Sequence, residues 1–308
     1  MNDSIIYLPN DSCLICESRN QKILGSRGNQ EYLNAPKSEL HYRTNVVQCK
    51  KCSFIYCNPT ILAAEELEKL HYSNSKSYID SESNTPGKPY IEGLKAISKF
   101  VMKGRLLDIG AGKGEFLQHA KKNGFAISGI EPSSEFCNYA LEKFGIPIFC
   151  GDVIDYKKDS TFSQNYDYIT LFHVLEHVKN PKELLIEIIS LFSKSGICYI
   201  EVPNADSTLL KFADFIFRLM GRNWSARLSP VHPPFHSIGY TRKSLERLIE
   251  NSGYEIIDVW TFTGKNRGHQ IRNRFGSIKR LTRNVVVKTI GIFPNRELIG
   301  ALIRPKNC

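Results

Sequence analysis

Long apolar runs are missing from this chain. No segment of its 308 residues reaches the roughly 18 apolar residues of a membrane span. Met1 to Pro9 contain neither a basic region nor an apolar stretch of signal-peptide length, so the expected location is the cytoplasm. Stable disulfides are rare there, and the nine cysteines need another explanation. There is no internal repeat, no low-complexity tract and no acidic cluster of the kind that holds a catalytic divalent ion. These absences exclude a spanning membrane protein and a repeat array. A chain of this length, 42% hydrophobic, suits one core domain with additions.

What is present is a series of apolar runs that end in chemistry. Leu106-Leu107-Asp108-Ile109 reads as a buried strand, Gly110-Ala111-Gly112-Lys113-Gly114 as a turn, and Glu115-Phe116-Leu117 as a helix start. Glycines let the backbone pass close to a ligand, and the strand end and helix start aim N–H groups into the turn. Asp108 would repel a pyrophosphate but suits a cationic amine. Ala126 to Ile130 is a second strand ending in Glu131-Pro132, about 20 residues beyond the turn, where a carboxylate can accept from ribose hydroxyls. A third strand, Pro147 to Cys150, leads into Gly151-Asp152-Val153, where Asp152 can accept from an exocyclic adenine amine. Tyr166 to Phe172 is a fourth, running into His173-Val174-Leu175-Glu176-His177. The third glycine follows the second by two residues rather than three, which speaks against a dinucleotide site.

As a set these residues resemble the class I S-adenosylmethionine-dependent methyltransferases over roughly residues 100 to 205, and loosely at the chain's end. The resemblance implies an α/β fold, a doubly wound, seven-stranded Rossmann-like sheet with its last strand antiparallel. It places Asp108, Gly110, Ala111 and Gly112 by the methionine part of the cofactor, Glu131 and Pro132 by the ribose, and Asp152 and Val153 by the adenine. Phe172 and His173, at the end of the fourth strand, complete the implied cofactor site.

Cys13-x-x-Cys16 and Cys49-x-x-Cys52, separated by 32 residues, can aim four thiolates at one structural zinc in a ribbon module over residues 1–60. A redox dithiol or disulfides are the alternatives. The cysteine module before this core is similar to that of bacterial surface-glycan and natural-product sugar methyltransferases. Residues 61–104 are expected to form a linker, with a helix from Ile61 to Leu70 and Tyr72, Tyr78 and Tyr90 over the cofactor.

Residues 105–308 would form the methyltransferase domain. A helix from Pro181 to Phe192, strands at Ile197–Val202, Tyr254–Phe262 and Glu297–Ile303, and a helix from Arg242 to Asn251 capped by Thr241 complete the reading. An insertion, 204–240, carries the apolar helix Leu209 to Met220, expected to pack on the core, to close an acceptor pocket or to meet a membrane surface. It also carries His232 and His236. Methyl transfer to a hydroxyl needs a base in line with the sulfonium, and His236, then His232 and His173, are the residues expected to supply it.

From Lys265 to Cys308, eleven Lys and Arg face one acid, Glu297, a local excess equal to the chain's net charge of +10. Arg267, Arg272 and Arg274 suit a pyrophosphate. The expected partner is a small-molecule acceptor, a sugar or a nucleotide- or lipid-linked sugar. The basic segment also suits a membrane surface or RNA. RNA is disfavoured because aromatics are sparse there and the fourth strand lacks the Asn/Asp-Pro-Pro-aromatic motif of amine methylation. The other readings are C-methylation of a nucleotide-linked keto sugar and a non-catalytic cofactor-binding protein.

Overall fold

A computed structural model describes residues 6–28, 43–62, 88–100, 103–159, 165–230, 236–264 and 296–306. The elements that build the core are β6 (Arg105–Ile109), α2 (Glu115–Lys122), β7 (Ala126–Glu131), α3 (Ser134–Phe144), β8 (Phe149–Cys150), α4 (Val153–Lys158), β9 (Tyr166–Phe172), α5 (Pro181–Glu187), β10 (Phe192–Pro203), α7 (Arg242–Asn251), β12 (Tyr254–Phe262) and β13 (Leu298–Pro305). Before them come β1 (Ile6–Leu8), β2 (Gln21–Gly28), β3 (Arg43–Cys49), β4 (Ile55–Asn58), β5 (Thr60–Leu62) and α1 (Lys88–Ile97). Between β10 and α7 lie α6 (Thr208–Leu219) and β11 (Ile238–Gly239).

The central sheet has seven strands in the order β12-β13-β10-β9-β6-β7-β8. From β10 to β8 all pairings are parallel, and β13 runs antiparallel to both neighbours. This is a mixed α/β architecture whose sheet has a largely parallel centre, as the resemblance implies. The described residues hold further strands in two smaller sheets, more than the expectation counted.

Apolar alternation explains why the sheet is covered on both faces. Leu107, Ile109, Ile169, Leu171, Cys198 and Ile200 belong to one buried cluster. Their chain neighbours Leu106, Tyr168, Ile197 and Tyr199 belong to the other. Period two sends successive side chains to opposite faces, so a strand buried on both reads as continuous apolar sequence.

The cysteine module is an antiparallel sheet, β2-β3-β4, closed on its far edge by β11 from the insertion. Ile238 pairs with Tyr56 and Gly239 with Ile55. The insertion also grips β2: Arg27 Nε donates to the Leu228 carbonyl (2.9 Å), and Ser26 N to that of Asn223 (2.9 Å). Cys13, Cys49, Cys52, Phe54 and Tyr56 share the first core cluster with Leu175, Tyr240 and Leu245. The module is therefore joined to the core around the central sheet by burial as well as to the insertion by strand pairing.

Three local expectations are corrected. Ile61 opens no helix: Thr60–Leu62 is a strand paired with Ile6–Leu8, and residues 63–70 lie outside the described residues. The helix from Pro181 ends at Glu187, tightens into a 3-10 turn to Leu191, and Phe192 already begins β10.

The third is α6, which does not bury its apolar face. Phe212, Phe215, Ile216 and Leu219 are exposed, Leu219 by 68%, while Asp214 is buried on Arg227 at 2.8 Å. One consequence is measurable. Phe215→Ser is expected to cost under about 0.5 kcal/mol, because little burial is lost there, and thermal unfolding checks it. Among the described residues no helix is long and apolar enough to cross a membrane.

Candidate active site

The carboxyl edge of the sheet is built around the turn after β6. Gly110 has φ 71° and Gly112 φ 52°, left-handed values that favour glycine. A Cβ on Gly110 would lie 2.6 Å from Val174 Cγ2, so the turn abuts the loop after β9. A Cβ on Gly112 would meet nothing within 4 Å, which leaves open space for a ligand. The turn is fixed from behind by hydrogen bonds from Gly110 N (2.8 Å) and Ala111 N (3.0 Å) to the Ile130 carbonyl.

Carboxylates line this edge. Asp108 is buried, and its Oδ1 accepts from Thr170 Oγ1 at 2.6 Å. Burial pushes its pKa up to about 7, the Thr170 hydrogen bond opposing. Glu131 Oε2 accepts from Gly112 N (2.8 Å) and Oε1 from Ser133 N (2.9 Å), which locks the carboxylate beside the glycine turn. Burial raises its pKa too, against those two hydrogen bonds.

Pro132 is exposed beyond Glu131. Asp152 is exposed, and its Oδ1 caps α4 through Asp155 N at 2.9 Å; Val153 beside it is buried. Phe172 sits in an aromatic cluster, with ring centroids 4.5 Å from Phe116, 5.1 Å from Tyr199 and 5.3 Å from Tyr90. Of the three tyrosines expected over the cofactor, Tyr90 reaches this cluster, and Tyr72 and Tyr78 lie outside the described residues.

His173, the third residue expected to supply the base, is held between two carboxylates. It ends β9 with φ 55°, a rare value for a non-glycine residue. Its Nδ1 is 3.1 Å from Glu176 Oε1 and its Nε2 3.1 Å from Glu201 Oε1. Burial opposes its charge, but the two carboxylates outweigh burial and raise its pKa to about 10. This pairing favours the charged imidazolium. Glu201, missed in the sequence, is fully buried and accepts from Tyr199 Oη at 3.0 Å. The signal was available: one charge inside the apolar run Ile197 to Val202.

His236 lies opposite His177, the ring centroids 4.8 Å apart. One ligating atom each from Glu176, His177 and His236 lie within 4.8 Å of one another. Backbone bonds join Ser229 and His236 (2.9 and 3.2 Å), and Tyr240 Oη donates to the Leu175 carbonyl at 3.1 Å. His232 lies outside the described residues, as do Arg267, Arg272 and Arg274.

In the cysteine module, the ligating atoms of Cys13, Cys16, Cys49 and Cys52 converge within 4.8 Å. Cys13 Sγ is 3.5 Å from Cys52 Sγ, and Cys16 Sγ is 3.6 Å from Cys49 Sγ. A tetrahedral zinc with bonds of about 2.3 Å sets thiolates about 3.8 Å apart, so the donor set and its spacing fit that ion. A hydrogen bond from Cys52, with backbone N–H groups assisting against burial, already lowers the Cys13 pKa to about 5.

A largely parallel sheet with a glycine turn and carboxylates at its carboxyl edge places a ligand site at that edge. Comparison with known proteins supplies the class. A family model described as a methyltransferase domain matches residues 84–259, more than half of the chain, and the chain belongs to that family. It is an S-adenosylmethionine-dependent methyltransferase.

Among curated relatives, a ubiquinone biosynthesis O-methyltransferase of Coxiella burnetii is 24% identical over 65% of this chain and 82% of its own length. Uncharacterized protein MJ1123 of Methanocaldococcus jannaschii is 32% identical over 40% of this chain and 56% of its own. Among solved structures, a chain from the complex of the Haloferax volcanii Trm112 methyltransferase activator with a putative methyltransferase aligns with a TM-score of 0.51 at 12% identity. The alignment covers 79% of this chain and 98% of that one, a likeness of fold.

Proposed function

We propose that the protein methylates a hydroxyl of a sugar or related small metabolite, free or carried on a nucleotide or lipid pyrophosphate. The observation that carries this reading is the cluster that Glu176 and His177, on the loop whose Val174 abuts the glycine turn, make with His236 from the insertion. A hydroxyl is a weak acid, and an imidazole–carboxylate cluster suits loss of its proton. The proton leaves at this cluster, where His236 is the imidazole expected to take part, with His232 and His173 as the other candidates. The oxygen then attacks the methyl carbon in line with the C–S bond, with inversion. The Coxiella relative is named as an O-methyltransferase, which favours oxygen as the accepting atom.

In this reading Asp108 holds the cofactor's ammonium, Gly110 to Gly112 make room for its methionine part, Glu131 and Pro132 lie by the ribose, and Asp152 and Val153 by the adenine. The four cysteines hold a structural zinc. Incubating the protein with S-adenosylmethionine and panels of free and nucleotide-linked sugars, followed by mass spectrometry, tests the acceptor. Methylation of added RNA with every sugar left unmodified would overturn it.

Asp108 makes a separate, signed prediction. With a pKa near 7 in the free protein, it is partly protonated at neutral pH and must ionise to pair with an ammonium. Cofactor affinity is therefore expected to rise with pH up to about neutrality and then level off. Unliganded stability runs the other way. Its pKa is raised above the unfolded value of about 4, so stability is lost as pH rises from there to about 7. Asp108→Asn is expected to flatten the affinity profile and weaken binding by about tenfold to a hundredfold, the worth of a hydrogen bond to a charged group. Calorimetric titration across pH measures both.

A further inference from the structure

The sequence offers no acidic cluster for a catalytic cation, but folding assembles a mixed one from distant segments. We propose that Glu176, His177 and His236 bind a borderline divalent cation, of the Mn²⁺, Fe²⁺ or Zn²⁺ kind, at the acceptor site. The site's substrate class is an acceptor whose hydroxyl, or pair of neighbouring hydroxyls, completes the ion's coordination. The inference rests on the reading that the acceptor binds beside this cluster.

Three observations carry it. The three ligating atoms already lie within 4.8 Å of one another. Bonds of about 2.0–2.2 Å place ligand atoms about 3–4 Å apart, a gap that side-chain rotation closes. Second, Glu176 Oε2 is buried without a hydrogen-bond partner, while Oε1 is held by His173 Nδ1 at 3.1 Å. A buried carboxylate oxygen of this kind calls for a cation, and two imidazoles stand beside it.

Third, burial falls from Glu176 (buried) through His236 (half-buried) to His177 (exposed). An ion can therefore enter from solvent, and its remaining coordination positions face outward, where an acceptor arrives. Two imidazoles and one carboxylate favour transition-metal ions or zinc over Mg²⁺ and Ca²⁺, which prefer oxygen ligands throughout.

The ion would hold the acceptor oxygen and lower its pKa. The hydroxyl proton then passes to solvent, and the oxygen's electron pair forms the new O–CH₃ bond. The S–CH₃ bond breaks, its electron pair returns to sulfur, and neutral S-adenosylhomocysteine leaves. His236 acts in this scheme as a ligand, and the acceptor and the overall reaction are those proposed above.

The probe is Mn²⁺ alone, titrated by calorimetry and electron paramagnetic resonance into the zinc-replete full-length protein. Four thiolates disfavour Mn²⁺, so the cysteine site stays silent. The expected result is one Mn²⁺ per chain, with nitrogen couplings from imidazole in pulsed spectra. Affinity should drop at least about tenfold in Glu176→Gln and in His236→Ala, as expected for loss of a metal ligand. Unchanged cofactor binding and a cooperative unfolding transition show that the variants are folded.

Absence of Mn²⁺ binding, or binding equal in both variants, overturns the inference. If methyl transfer to a sugar then proceeds in chelated buffer and fails in His236→Ala, the acceptor reading survives without the ion. If Mn²⁺ binds as expected but every sugar acceptor is refused, the cation site stands and the acceptor reading falls.

Discussion

Stripping the zinc proposed for the four cysteines is expected to slow methyl transfer by about a hundredfold, the scale of loss caused by misplacing a reacting group by about 1 Å. Cofactor affinity is expected to stay within about threefold of its starting value, less than 1 kcal/mol. The cysteines lie far in sequence from the acceptor cluster, but the strand ladder joins them. Cys49 and Cys52 frame the turn between β3 and β4: Cys49 N donates to the Phe54 carbonyl (2.8 Å), and Ser53, at φ 67°, donates to that of Cys49 (2.9 Å). Strand β4 carries β11 on its outer edge, and Cys57 N donates to the Ser237 carbonyl at 2.9 Å. Ser237 follows His236 directly.

Without the ion, three buried thiols and one half-buried thiol remain to hold the two knuckles, and β4 and β11 lose their fixed origin. The glycine turn is anchored instead by hydrogen bonds to Ile130 and Glu131 of β7. Zinc release followed with a chromogenic chelator, paired with cofactor calorimetry and turnover, measures the split. Parallel loss of cofactor binding and turnover would mean that the ribbon supports the whole domain rather than the acceptor edge.

How much of this was legible beforehand depended on whether the cause was local. The turn at Gly110 to Gly114, the strand Ala126–Glu131, the helix Arg242–Asn251 with its Thr241 cap and the paired CxxC knuckles all follow from nearby residues. A turn needs left-handed backbone, a cap needs an oxygen three residues from its N–H, and a knuckle needs two thiols. The end of α5 was ambiguous because Leu184-Leu185-Ile186-Glu187-Ile188-Ile189 satisfies helical and extended periods alike.

The exposed face of α6 was illegible for another reason. Periodicity identifies an apolar stripe, but here Asp214, paired with Arg227 at 2.8 Å, takes the inward position. The pairing of β4 with β11, and with it the placement of His236, joins residues about 180 positions apart, which no window on the sequence contains. The same holds for Glu201 reaching His173. Both the cluster and the charge network beneath it are products of the sheet's order.

That network yields the second large effect. His173→Ala is expected to destabilise the protein by about 3 kcal/mol, the lower end of the range for breaking a buried pair, since about a third of the imidazole is open to solvent. The cost arises on the partners' side. Glu176 and Glu201 have side chains 1% and 0% exposed, and the imidazolium is the positive group between them. Its removal leaves Glu201 with the Tyr199 hydroxyl at 3.0 Å, a neutral donor that cannot balance a buried charge.

The double variant His173→Ala, Glu201→Gln is therefore expected to recover part of the lost stability, although Glu201→Gln alone destabilises the parent. Denaturant unfolding of all four proteins gives the coupling directly. Additive losses would show that His173 serves packing and backbone geometry. A coupling of opposite sign to the single losses would place the His173 charge between the two carboxylates as the element that fixes Glu176, and through Glu176 the acceptor edge.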